Sequence, residues 1–219
     1  MTLSAIIGHV YAGGIGALPR EGQPSGIYKR PIVTPVAIGP EGLEGDQQAD
    51  RRVHGGTEKA VHHYPVEHYA VLAAQFPETA AALHPGAMGE NFSTSGLTER
   101  NVYIGDVFAA GSALLQVSQP RTPCWKINHR FDEDAMARFF LHARITGWYY
   151  RVLAPGLVRP GDRISLVERH TDRFSIDSFW RLQHAETPSV AEMEALAAVP
   201  GLAPDWVRRL GERAAWLKR

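Results

Sequence analysis

The chain has 219 residues, 44% of them hydrophobic and 21% charged, the composition of a folded unit with one sizeable core and not of a disordered polymer. Its 23 Lys and Arg balance 23 Asp and Glu, so the basic excess of a dedicated nucleic-acid binder is missing, and no apolar run reaches the ~18 residues of a membrane span. The single cysteine, Cys124, excludes an intrachain disulfide and makes a reducing cytoplasm the expected home; Met1 to Tyr11 reads as mature protein, not as a signal peptide.

The first part of the chain is punctuated by turns, and among Gly and Pro only Pro188, Pro200, Gly201, Pro204 and Gly211 follow residue 166. Frequent turns cut a chain into short strands. Ser4 to Tyr11 is the first strand expected. Pro31 to Ile38 carries two prolines, which restrict it to edge or bulged pairing. Pro65 to Gln75 is expected as a helix with Pro65 in its first turn. Asp106 to Ser118 predicts two strands around Gly111. Pro120 and Pro123 should break strand pairing and leave Cys124 on a rigid loop. A helix is expected from the acids Asp132, Glu133 and Asp134 to about His142. Strands follow at Trp148 to Leu153 and Arg163 to Val167. The tail predicts three helices: Ile176 to His184, one capped by Ser189 and Glu192 before Met193 and Leu196, and one opened by Pro204. The expectation is a mainly β (α+β) fold, a β-barrel with flanking helices over 1–168 and a three-helix extension over 169–219.

Three segments carry chemistry. In Arg121-Thr-Pro-Cys-Trp-Lys-Ile-Asn-His-Arg130, Cys124 is either an inert apolar filler or a thiolate favoured by its cationic neighbours. As a thiolate it would serve as nucleophile, sulfur carrier or soft-metal ligand. The stretch Gly45 to Tyr64 holds His54, His62 and His63, whose spacing fits no common zinc pattern. There, Gly55 and Gly56 would bring backbone N–H groups to an anion flanked by Arg52 and Lys59, or simply form a turn. In Gly86-Ala-Met-Gly-Glu-Asn91, Asn91 offers both a donor and an acceptor to a heterocycle. Glu90 is either a general acid/base or the partner of an arginine.

Taken together, Asp50-Arg-Arg-Val-His-Gly-Gly56, Gly89-Glu-Asn91 and Arg121-Thr-Pro-Cys-Trp-Lys126 resemble the MOSC domain family in order and spacing, and within it the bacterial YiiM-like group. Gly45-Asp-Gln-Gln-Ala-Asp50, His63-Tyr-Pro65, Ser95-Gly-Leu-Thr-Glu99 and Val117-Ser-Gln-Pro-Arg121 extend the likeness, which covers nearly the whole chain. Thr57 and Met88 depart from it, standing where relatives commonly have Pro and Phe. The resemblance implies a molybdenum cofactor cleft and reduction of N-hydroxylated bases such as 6-N-hydroxylaminopurine, a detoxification. It implies that Cys124 ligates molybdenum, that Arg52, His54, Gly55, Gly56, Lys59, Arg121 and Lys126 hold the cofactor, and that Asn91 anchors its pterin. Pyridoxal phosphate binding is a further family-level association.

Breaking an N–O bond with two electrons needs a redox cofactor, and His54, His62 and Lys126 are the candidate proton donors. The sequence has neither a dinucleotide fingerprint nor the four cysteines of an iron–sulfur cluster, so a separate flavin or iron–sulfur reductase is the expected electron donor. Trp180, Trp206 and Trp216 form the tail's own core, a docking surface for that reductase, or a homodimer contact. The rival functions are a non-catalytic molybdenum-cofactor carrier, sulfur transfer through a Cys124 persulfide, and a cysteine hydrolase using His54 or His129.

Overall fold

The computed structural model describes residues 2–219, the Arg52 side chain excepted. Seven strands form its centre: β1 (Ser4–Ala12), β2 (Val61–Pro65), β3 (Phe92–Thr94), β4 (Val107–Ala110), β5 (Ala113–Pro120), β6 (Trp148–Ala154) and β7 (Arg163–Glu168). Around the ring they run β7-β4-β5-β6-β2-β3-β1, and β1 pairs back onto β7, so these strands close into a barrel. Among the described residues only β2 and β3 pair in parallel. The mainly β barrel expected from the turn-rich sequence is therefore present, with α-helices α1 (Arg51–His54), α2 (Glu67–Gln75), α3 (Trp125–Phe131), α4 (Met136–Ala143), α5 (Ile176–His184), α6 (Val190–Ala197) and α7 (Pro204–Leu217) around it. Among the described residues no helix is long and apolar enough to cross a membrane.

Alternation along β2 decides where a site can form, because successive side chains point to opposite faces of a strand. His63 faces the barrel interior. There it stacks on Trp148 at 4.5 Å and meets Tyr150 Oη at 3.1 Å and Thr94 Oγ1 at 2.8 Å. His62 and Tyr64 point outward. Tyr64 packs into a second apolar cluster with Leu72, Ile127, Phe131 and Phe140, supplied by α2, α3 and α4. With helices over its outer face, β2 is buried along its whole length.

The tail helices pack against the barrel. Phe179, Trp180, Met193, Leu196 and Leu210 share one buried cluster with Phe108, Leu115 and Val117 of β4 and β5. Ser175 and Ser189 cap α5 and α6 by accepting from Ser178 N and Glu192 N. Trp180 is buried and Trp206 packs edge-on against Phe179, whereas Trp216 is 69% exposed and takes no part in that core.

Four local expectations are corrected. Pro65 ends β2 opposite Thr94 and does not start α2, which begins at Glu67. Pro120 pairs with Trp148 and so extends β5. Asp132 to Asp134 form a turn between α3 and α4: Asp132 ends α3 at φ 52°, and both Asp132 and Asp134 bind Arg20. Pro31 to Ile38 splits into Arg30–Ile32, beside β1, and Val36–Gly39 in a separate small sheet.

Candidate functional site

His62 of β2 and Tyr149 of β6 are cross-strand partners on the outer wall of the barrel. Both line a cleft that opens to solvent on that wall. The cleft also takes residues from 25–29, from 46–49, from the end of α1 and from the β5–α3 junction. It lies outside the barrel wall, and its occupant would rest on β2 and β6.

Cys124 is the residue before α3, in extended backbone, and its position is fixed from both sides. Upstream, Arg121 N donates to Gly147 O (3.1 Å); downstream, Ile127 and Phe131 bury one face of α3. Its Sγ lies 3.5 Å from His54 Nε2. Burial, with Lys126, Arg121 and Lys59 adding to it, pushes His54 down to about 4, so its imidazole is neutral at pH 7.

The cleft is electropositive. Arg121, Lys59 and Lys126 line it, and the acid among its lining residues, Asp46, is paired with Lys29. Lys126 Nζ donates to Pro24 O at 2.9 Å and Lys59 Nζ to Val53 O at 2.5 Å. Arg121 is 6% exposed and its Nη1 has no partner among the described residues, as is true of His62 Nε2 and His54 Nδ1. A buried donor without an acceptor costs about 1–3 kcal/mol, more when charged, so the arginine fits an anionic ligand. Burial first, then the charges of Arg121 and Lys29, push His62 well below its usual range and keep it neutral.

The structure thus brings Cys124, His54, Lys59, His62, Asn91, Arg121 and Lys126 to one cleft. Asn91, however, commits its amide to the protein. Its Oδ1 accepts from His62 N (2.9 Å) and its Nδ2 donates to Tyr11 O (3.1 Å) and Asp46 Oδ2 (2.9 Å). Gly55 and Gly56 are not among the residues lining the cleft: Gly56, at φ 87°, precedes the 3-10 turn Thr57–Lys59 and so sets the chain direction between His54 and Lys59. Arg52 has its backbone in α1, and its side chain lies outside the described residues. Glu90 is fully buried and accepts from Tyr69 Oη, Gly86 N, Ser93 Oγ and Met88 N, which makes it the organiser of its own loop. His129 stacks edge-on against Trp125. Lys29, Asp46 and Tyr149 were not foreseen. Asp46 stood in a recognised motif, but nothing local announces that Lys29 meets it.

A closed barrel carrying a cysteine–histidine pair in a basic cleft defines a class of small-molecule site, and comparison gives the class its family. The MOSC domain matches residues 50–165, and the chain belongs to that family. It is 42% identical to Protein YiiM of Escherichia coli (strain K12) over 207 residues, 93% of this chain and 90% of that one. It is 37% identical over 177 residues to a protein named Reductase from Gibberella moniliformis, of which it spans 31%. Among solved structures, YiiM from Geobacillus stearothermophilus superposes with a TM-score of 0.81 at 30% identity, covering 96% of this chain and 99% of that one.

Proposed function

We propose that this protein is a molybdenum-cofactor-dependent reductase that converts N-hydroxylated bases, 6-N-hydroxylaminopurine among them, to amines, and so detoxifies base analogues. The observation that carries the proposal is the meeting of the Cys124 thiol with the buried, unpartnered Arg121 Nη1 in one cleft. A molybdenum cofactor presents a soft metal and an anionic phosphate. Cys124 would hold the metal, and Arg121, Lys59 and Lys126 would hold the anionic groups through charge-assisted hydrogen bonds. Arg52 joins them by family resemblance. When bound, the cofactor supplies two-electron redox chemistry that no side chain can provide.

The chain's own residues do the rest. His54 Nε2, 3.5 Å from Sγ, orients the thiol. Asn91 fixes the His62 backbone and Asp46. Ile27 and Met88 give the cleft apolar surface for a planar base. The fungal protein named Reductase supports reductive chemistry. Electrons would come from a separate flavin or iron–sulfur reductase in the cytoplasm, and neither nucleic acid nor membrane would be a partner.

Rival assignments fit less of the geometry. The phosphate of pyridoxal phosphate would meet the same cations but gives Cys124 no role. A cysteine hydrolase would use the Cys124–His54 pair, yet His54 Nδ1 has no orienting acceptor among the described residues. Cofactor carriage and persulfide transfer are separated by one experiment: natively expressed protein is assayed for molybdenum, for pterin fluorescence and for turnover of a hydroxylamino base with an artificial electron donor. Loaded protein that turns over supports the reductase. Loaded but inert protein indicates a carrier, and metal-free protein with a persulfide indicates sulfur transfer.

A further inference from the structure

We propose that Lys29, held in place by Asp46, donates the proton that lets the substrate oxygen leave as water. The assignment rests on the reductase function above and names a residue that family resemblance does not supply. Lys29 and Asp46 line the same cleft as Cys124. Their side chains are 7% and 2% exposed, with Nζ 2.5 Å from Oδ2. Desolvating both charges makes a buried pair a weak source of stability, so its place in the wall of a ligand cleft points to chemistry.

The carboxylate cannot swing away. Asp46 Oδ1 accepts from Gly13 N at 3.0 Å, and Oδ2 accepts from Asn91 Nδ2 at 2.9 Å as well as from Lys29. Asn91 is itself held by Tyr11 O and His62 N. Gly13 is packed so closely that a Cβ there would lie 2.4 Å from Tyr28 O. Nζ is therefore tethered to a fixed point, and Asp46 is its hydrogen-bond partner among the described residues, which leaves N–H capacity for a ligand.

The other proton carriers are committed or empty. His54 Nε2 faces the Cys124 sulfur, Lys126 Nζ donates to Pro24 O, and Lys59 Nζ donates to Val53 O. His62 is neutral at pH 7. Burial lowers the Lys29 pKa while the Asp46 charge opposes the fall, with Glu90 adding to Asp46. A general acid works best when its proton is present yet loosely held.

The step balances as R–NH–OH plus two electrons and two protons giving R–NH2 and water. The N–O bond breaks, and the electron pair, supplied by a flavin or iron–sulfur reductase, goes to nitrogen. One Nζ–H bond of Lys29 breaks as an O–H bond forms on the departing hydroxyl. Nitrogen takes its second proton from water, and water reprotonates Lys29.

The test uses full-length, cofactor-loaded protein. Lys29→Arg keeps the charge and the pairing with Asp46 but holds its proton too tightly to give it up. Molybdenum content and KM should match wild type while kcat falls about 10²–10³-fold. Lys29→Ala should be rescued by added alkylammonium ions, faster with the more acidic ones. Independently of turnover, NMR of lysine Nζ in cofactor-free protein should show Lys29 titrating below the surface lysines, and lower still in Asp46→Asn. Wild-type kcat in Lys29→Arg, absence of rescue in a loaded Lys29→Ala, or co-titration of Lys29 with surface lysines overturns the assignment and leaves the reductase function standing. Wild-type protein that loads no molybdenum or reduces no hydroxylamine defeats both.

Discussion

Cys124 Sγ and His54 Nε2 stand 3.5 Å apart although 70 positions separate them in sequence. They meet because the β5–α3 junction and the end of α1 both project over the outer face of the barrel. Both residues line the cleft and neither belongs to the buried apolar clusters, so function and stability should separate here. Cys124→Ser should lose bound molybdenum and hydroxylamine reduction while unfolding free energy stays within about 0.5 kcal/mol of wild type. His54→Gln removes the partner of the proposed metal ligand and should lower metal occupancy or activity about 10–100-fold. Metal analysis alongside urea unfolding reads both. Full molybdenum occupancy in Cys124→Ser would remove the sulfur from the metal site.

Glu90 makes the opposite prediction. Two of its four donors are the backbone N–H groups of Gly86 and Met88, and among the described residues no cation forms an ion pair with it. Glu90→Gln turns an acceptor oxygen into an NH2 group facing those donors. The loop carries Gly89 and Asn91 of the cleft wall, so the variant should be destabilised by about 1–3 kcal/mol and should also lose affinity for its ligand. Urea unfolding of apo protein reads the first effect. Unchanged stability would mean that the carboxylate serves the reaction and not the loop.

These two sites show what a sequence discloses. The β4–β5 hairpin was legible because Gly111, at φ 56°, marks its turn, and a Cβ there would meet Leu157 O at 2.2 Å. The gathering of Cys124, Arg121 and Lys126 was legible because they are neighbours in the chain. Helix α3 was not: its seven residues carry little periodic signal, and it is held by Ile127 and Phe131 burying themselves against Tyr64 and Phe140, a tertiary effect. Asn91 and Glu90 stood in a recognised motif, but their roles depend on which backbone groups surround them. Lys29 was invisible because its meaning comes from Asp46, brought to it by the packing of two loops on the barrel.

The barrel interior fixes a pH dependence. Burial pushes His63 down to about 3, so it stays neutral in the folded protein while the unfolded chain takes up a proton below about 6.5. The unfolded state then binds more protons between those values, and stability falls as pH drops through that window, by up to about 1.4 kcal/mol per unit. Above it this histidine adds no slope. His63→Gln should be less stable at pH 7, having lost its fit between Thr94 and Tyr150, but its stability should decline less steeply between pH 6 and pH 4. Parallel stability–pH curves for the two proteins would show that another group governs acid unfolding.

The tail and the barrel should unfold together. Trp180 Nε1 donates to Thr146 Oγ1 at 2.9 Å, and Ala203 N donates to Ser118 O of β5 at 2.9 Å. Gly105 lets the tail come so close that a Cβ would lie 2.2 Å from Pro200 O. With the buried faces of α5, α6 and α7 in one cluster with β4 and β5, neither part can open without exposing the apolar surface of the other. Trp180→Ala should therefore cost about 3–5 kcal/mol, in a single transition in which far-UV circular dichroism and tryptophan fluorescence coincide. Two separated transitions, with the barrel surviving the first, would show instead that residues 169–219 fold as an independent unit.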